Sequence, residues 1–191
     1  MLTPWGYEVE NLTSLVSVEE MRVLQPNLSS TDATLQAVID GVSAAVRSYC
    51  EWHISPSLTC TFTGNGEGNL LMLPSMQVSQ VNSLAIDGVE VNPDDYWWTS
   101  AGMLRLKYGK FPYGWRNVVC EYVAGASFAD VQQVVAQIAS NALVASPGVR
   151  EEHAGNVGIT YNQTGSGISG GVSILPRDYD ILAKYKLARA M

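Results

Sequence analysis

The sequence predicts a mixed α+β fold: a helical bundle scaffold carrying an inserted antiparallel β sheet or open barrel. Three observations carry this reading. Residues 31–52 and 127–146 each repeat apolar side chains at spacings of three and four, the signature of one buried helix face. Between them, residues 57–124 hold about seven short runs of strand chemistry separated by turn signals. A last amphipathic stretch, residues 176–189, opens at a proline and closes among basic residues, as a C-terminal helix does. The domain division that follows is a helical part, 1–56 and 125–191, and a β-rich insertion, 57–124.

From the N-terminus, residues 1–17 include Trp5, Tyr7, Leu12, Leu15 and Val16 without strong periodicity. Trp5 and Tyr7 have two readings: packing on the chain's own core, or an aromatic arm that meets a neighbouring subunit. Ser17 and Glu20 stand three apart, the spacing of a capping box, and predict a short helix closed by Pro26-Asn27. In the long helix, Ser30, Thr31 and Asp32 supply capping oxygens and a negative charge at the start. Leu35, Val38, Ile39, Val42, Ala45, Val46 and Tyr49 form the apolar stripe. Asp40, Ser43, Arg47 and Ser48 lie mostly off it, a mixed polar face on which Asp40 and Arg47 are candidates for contact with a next subunit. Ile54-Ser55-Pro56 ends the helix.

Strand signals follow. Ser57 to Thr63 alternates Leu58, Cys60 and Phe62 with polar residues. Gly64-Asn65-Gly66-Glu67-Gly68 reads as a turn, and Leu70 to Leu73 as a short strand. Val78 to Ile86 leads through Asp87-Gly88, a hairpin signal, to Val89-Glu90-Val91. Tyr96 to Thr99, Met103 to Leu106 and Val118 to Val123 complete the set. After Ala124-Gly125-Ala126, Ser127 and Asp130 mark a helix start, and Val131, Val134, Val135, Ile138 and Ala142 form its stripe until Pro147-Gly148. Val157, Ile159 and Tyr161 alternate as a strand, and Gln163 to Ser173 is a glycine-rich loop. In the last helix Asp178 and Asp180 sit at the positive end. Lys184, Lys186 and Arg189 sit at the negative end, and Tyr179, Leu182 and Tyr185 mark one face beside Ile181.

Composition narrows the function. Eighteen acidic residues against 11 basic ones leave a net charge of −7, and no basic run of the kind that tracks phosphates appears. No apolar run is long enough to span a membrane. The start, MLTPWGYEVE, lacks the basic and apolar regions of a signal peptide. Cys50, Cys60 and Cys120 form an odd set without metal-type spacing and read as reduced, buried thiols, consistent with synthesis in a cytosol.

A search for chemistry assigns no catalytic, cofactor-binding or metal-ligating residue. Gly64 to Gly68 lacks the Lys-Ser/Thr of a phosphate-binding loop. Glu151-Glu152-His153 contains ligand types, but neighbours on a strand point to opposite faces. Cys50 and His53 lack an orienting group and an oxyanion site. Gly167-Ile168-Ser169-Gly170-Gly171 matches the letters of a nucleophile elbow without the strand and helix it needs. Asp94-Asp95 and Glu151-Glu152 are sequence neighbours rather than carboxyls facing across a cleft. Trp97, Trp98 and Trp115 could stack on sugars, or fill a core or an interface.

The order of motifs is similar to a known family. A helix ending Tyr49-Cys50-x-Trp52 leads to Ile54-x-Pro56, then Leu71-x-Leu73-Pro74, then Val78-x-x-Val81-x-x-Leu84-x-Ile86-Asp87-Gly88. Asp95-Tyr96, Ala101-Gly102-x-Leu104 and Gly114-Trp115-x-x-Val118-x-x-x-Tyr122-x-Ala124-Gly125 follow. After a second helix come Val149-Arg150-x-Glu152, Gly155-x-Val157-x-Ile159-x-Tyr161, Leu175-Pro176 and Leu182-x-x-Tyr185. From about residue 31 to 187 this resembles the head–tail connector (adaptor) proteins of tailed bacteriophages.

The resemblance implies a structural, non-enzymatic virion protein of the phage neck, made in the host bacterial cytoplasm. It implies a homo-oligomeric ring, usually a dodecamer, under the portal protein and continuing the DNA channel, with a stopper or tail-completion protein on the far face. Its C-terminal segment would dock on the portal, which makes Tyr179, Leu182, Lys184, Tyr185, Lys186 and Arg189 the candidate docking residues. DNA would pass through the lumen without specific binding, since charge beyond about 8 Å is screened at physiological salt. Two other readings stand beside it. One is a carbohydrate-binding or hydrolytic module that uses Trp97, Trp98 and Trp115 with Asp94 or Asp95. The other is a capsid decoration or stopper protein.

Overall fold

The computed structural model describes residues 1–144, 151–154, 157–160 and 174–187 of the 191. The fold is α+β, and the chain divides into two compact units.

The first unit comprises Met1–Thr13, Cys50–Ser127 and the chain from Tyr185. Its strands are β1 (Tyr7–Val9), β2 (Leu58–Gly68), β3 (Leu71–Met72), β4 (Val78–Ile86), β5 (Val89–Glu90), β6 (Tyr96–Trp98), β7 (Met103–Leu106) and β8 (Phe111–Ala124). They form a five-stranded sheet in the order β1-β2-β8-β4-β5 and a three-stranded one in the order β3-β7-β6, and every pairing is antiparallel. Among the described residues neither sheet closes into a barrel.

β8 is the spine, with Cys120 opposite Phe62 on one side and Leu84 on the other. Val118, Cys120, Tyr122 and Ala124 all point into the core, the period of two that a half-buried strand requires. They pack with Tyr7, Val9, Cys60, Leu71, Leu73, Val78, Leu84, Tyr96, Leu104 and Phe111.

Two expectations change here. Gly64–Gly68 is not a turn but the second half of β2, paired to β8 through two register shifts. The missing side chains let the strands approach: a Cβ on Gly66 would lie 2.4 Å from the Pro112 carbonyl oxygen. β8 likewise starts at Phe111 rather than Val118, and an unforeseen strand, β1, adds Tyr7 and Val9 at the sheet's edge.

The second unit comprises Ser14–Tyr49 and Phe128–Lys184. It holds α1 (Val18–Leu24), α2 (Asp32–Cys50, except its last residue), α3 (Ala129–Val144) and α4 (Pro176–Leu182), with a hairpin of β9 (Glu151–Ala154) and β10 (Val157–Thr160). α1 has the predicted capping box: the Ser17 hydroxyl accepts from the Glu20 N–H, and the Glu20 carboxylate accepts from the Ser17 N–H. α1 and α4 both pack on α3.

On α2 the fully buried positions are Leu35, Ile39, Val42, Val46 and Cys50, with Ser43 and Arg47 beside them. Spacings of four and three carry this line straight through 39, 43, 47 and 50, so Ser43 and Arg47 belong to the buried face rather than the polar one. The Ser43 hydroxyl is satisfied there by the Leu15 N–H at 3.0 Å.

The terminal helix is shorter than the sequence suggests. α4 stops at Leu182, a 3₁₀ turn runs over Ala183–Tyr185, and Lys186 and Leu187 are not helical, while residues 188 and 189 lie outside the described residues. The cause is competition for backbone groups. The Tyr185 carbonyl accepts the Trp52 indole N–H at 2.6 Å, and the Leu187 N–H donates to the Cys50 carbonyl at 2.9 Å.

Candidate partner-binding surfaces and the buried junction

The residues just after α2 gather several distant parts of the chain. Glu51 and Ile54 both have positive φ, 66° and 67°, and Ile54 is fully buried. A β-branched residue pays for that conformation, so the surroundings must hold it. The Ile54 carbonyl accepts the Ala126 N–H at 3.0 Å. Gly125, at φ +96°, passes so close that a Cβ there would lie 2.5 Å from the Pro56 oxygen and 2.6 Å from His53 Nε2.

His53 is the centre of this junction and is fully buried. Its Nε2 lies 2.9 Å from the Ala124 carbonyl oxygen, which only accepts, so Nε2 carries the proton. The neutral ring then accepts at Nδ1 from the Tyr7 hydroxyl, 2.8 Å away, and the same hydroxyl accepts the His53 backbone N–H at 3.0 Å. Both ring nitrogens are thus committed to structure, which removes His53 from any Cys–His chemistry with Cys50. Burial pushes the Cys50, Cys60 and Cys120 thiols up to about 12, so none is a ready nucleophile. Burial raises the Tyr122 phenol as well, against the opposing hydrogen bond with Ser75 at 2.9 Å.

This geometry reassigns several predicted contact residues. Tyr7 is buried and hydrogen-bonded inside its own unit, so its ring offers no surface to a neighbour; Trp5, half-buried, stacks on it at 6.1 Å. Arg47 is 5% exposed and is likewise an interior side chain. Asp40 is exposed and accepts from the Ser14 hydroxyl and from Gln36 Nε2.

At the C-terminal segment Leu182 is fully buried and serves the fold of its unit. Tyr179 is 39% exposed and packs edge-on against Tyr49 at 4.8 Å. Lys184 and Lys186 are exposed and Tyr185 is half-buried, while Arg189 lies outside the described residues. The buried Asp178 caps α4 by accepting the Leu175 N–H at 3.1 Å.

The remaining candidates fall apart as sites. Asp94 and Asp95 are consecutive in a single 3₁₀ turn, capped by Asn92, and do not flank a cleft. Of Glu151-Glu152-His153 only the backbone is described, in β9. The Gly167–Gly171 match and the whole loop 163–173 lie outside the described residues. Among the described residues no three His, Cys, Asp or Glu side chains converge in a way that could hold a metal ion, and no helix is long and apolar enough to cross a membrane.

Comparison with known proteins supplies what the geometry alone does not. The family model for "Head completion protein" matches residues 11–144. The chain belongs to the head completion protein family. It is a structural protein of the phage head–tail junction.

Solved structures match its fold over nearly its whole length. A chain in the neck of an empty gene transfer agent (GTA) particle at C6 symmetry is 15% identical, with a TM-score of 0.61 and 97% of each chain covered. A chain in the neck of a native GTA particle at C12 symmetry is 15% identical, with a TM-score of 0.60; 96% of this chain and 97% of that one are covered. No curated protein sequence matches.

Proposed function

We propose that this head completion protein assembles as a ring of twelve copies in the phage neck, seated on the portal protein and receiving a stopper or tail-completion protein on its far face. The observation that supports this most is the joint one: membership of the head completion family, and a fold shared end to end with chains from GTA necks solved at C6 and C12 symmetry. The ring acts structurally, without catalysis, and DNA passes through its lumen without specific binding. The acidic balance of −7 per copy suits a conduit that does not retain phosphate.

In this reading the helical halves of the sequence form a scaffold, with 57–124 as the insertion between them. Portal docking falls to the exposed side chains of the C-terminal segment, Tyr179, Lys184 and Lys186, with Tyr185 and Arg189. Asp40 and Trp5 face the next copy, while Tyr7, Arg47 and Leu182 hold the subunit together. Averaged electron images of purified particles test the proposal, together with quantitative mass spectrometry of the same sample. About a dozen copies at the neck are expected. Hundreds of copies over the capsid shell would instead identify a decoration protein, and absence from the neck would sink the idea.

A further inference from the structure

Nothing local ends α4. Helices commonly stop at a residue of positive φ, most often glycine. Here the cap residue Ala183 is itself right-handed helical, at φ −57° and ψ −29°, and its N–H still bonds the Tyr179 carbonyl. From Leu182 onward the sequence reads Leu-Ala-Lys-Tyr-Lys-Leu-Ala-Arg-Ala-Met, without glycine, proline or a β-branched residue. All of these but Tyr185 belong to the strongest helix formers. Local preference therefore asks for a helix that runs on, yet α-helical pairing stops at Leu182.

The stop is imposed from the end of α2. Cys50 is the last residue of α2, so its carbonyl has no partner within that helix. It accepts the Leu187 N–H at 2.9 Å. Trp52 is fully buried, and its indole N–H, a donor only, gives to the Tyr185 carbonyl at 2.6 Å. All four residues belong to the first unit. In a continuing α-helix the Leu187 N–H would instead donate to the Ala183 carbonyl, and the Tyr185 carbonyl would accept from Arg189. The same two backbone groups serve either arrangement, but not both at once. A strong local preference overridden by tertiary contacts marks a segment with two competing arrangements.

We propose that the chain from Ala183 is a latch. In the lone subunit it is clipped to Cys50 and Trp52; on docking it lets go and α4 continues past Leu187. In such a helix Ala183, Leu187, Ala190 and Met191 share one side, at spacings of three and four, and suit an apolar groove on the partner. The inference rests on the reading that this segment docks on the portal, and adds the form it takes there and the contacts it gives up. A partner shifts such an equilibrium only by binding one arrangement better than the other. The helical form is therefore presented at the portal and withheld by copies elsewhere.

Two substitutions push the latch in opposite directions. Trp52→Phe removes the donor of the clip and keeps a ring in the core. Ala188→Pro forbids the continued helix, because its ring would meet the Lys184 carbonyl, and it biases Leu187 towards extended backbone while leaving the Leu187 N–H and the Tyr185 carbonyl in place. Carbon-13 Cα shifts of residues 184–187 in the isolated chain should be non-helical in the parent and in Ala188→Pro, and helical in Trp52→Phe. Binding is then measured on phage heads that carry the portal and lack this chain. Ala188→Pro should bind at least tenfold more weakly than the parent at an unchanged melting temperature, Ala188→Gly should fall between the two, and Trp52→Phe should bind at least as well as the parent. Parental binding by Ala188→Pro, or a folded Trp52→Phe chain whose residues 184–187 stay non-helical, would overturn the latch. Should Trp52→Phe fail to fold, the Ala188→Pro comparison decides alone. A parent that does not bind the heads removes the docking reading as well, whereas parental binding indifferent to Ala188→Pro removes the latch only.

Discussion

Replacing Tyr7 by Phe keeps the ring and deletes one oxygen at the buried junction. That oxygen donates to His53 Nδ1 at 2.8 Å and accepts the His53 N–H at 3.0 Å, with both residues fully buried. The variant therefore strips a partner from a buried acceptor and from a buried backbone donor while leaving the packing nearly intact. Each such group left short of a hydrogen bond costs about 1–3 kcal/mol. A loss of about 2–4 kcal/mol is expected, a large part of the roughly 5–15 kcal/mol that holds a domain folded. For a chain of this length that corresponds to a fall in melting temperature of about 5–15 °C.

Hydrogen exchange reads the effect locally and avoids assuming that two units unfold together. The His53 amide should exchange about 30- to 1,000-fold faster, at a factor of ten per about 1.4 kcal/mol. A melting temperature within 2 °C of the parent together with unchanged protection at His53 would refute the assignment of Tyr7 to the junction.

Three further outcomes follow from the same contacts. Leu182→Asp places a carboxylate at a fully buried position without a counter-ion designed for it, and should cost about 3–5 kcal/mol, seen as loss of soluble or cooperatively melting protein. Gly125→Ala combines a positive φ of 96° with a Cβ 2.5 Å from the Pro56 oxygen, and should destabilise by more than the 1–2 kcal/mol of the backbone term alone in urea titration. The buried thiols, raised from 9.0 to about 12, should react with iodoacetamide at pH 8 roughly a thousandfold more slowly in the native chain than in urea. The sign carries over to stability. Above pH 9 the unfolded chain sheds these protons while the native chain keeps them, so stability falls as pH rises towards 12.

Element types were legible in the sequence because they answer to local periodicity. The stripe on α2, the capping box at Ser17 and Glu20, the alternation in β2 and the Asp87-Gly88 hairpin each depend on residues within a few positions of one another. The motif order also carried the family, since it spans most of the chain. Exchange of partners over long separations was not legible. Gly64–Gly68 is strand rather than turn because Asn117, some fifty residues away, supplies a hydrogen bond that the ladder lacks there. Ser43 lies on the buried side because the Leu15 N–H meets its hydroxyl, a pairing no helical wheel records.

By itself, then, the sequence determined the type of the long helices and of most strands, the acidic balance, and the kinship with phage neck proteins. Only the tertiary structure decided which side chains are left for partners. Tyr7, Arg47 and Leu182 are polar-tipped or apolar residues that could have faced outward, and packing took them inside. The terminal helix was cut short because Trp52 and Cys50 claim backbone groups from Tyr185 and Leu187. Burial and hydrogen-bond satisfaction are properties of the whole chain's arrangement, and no window of neighbouring residues contains them.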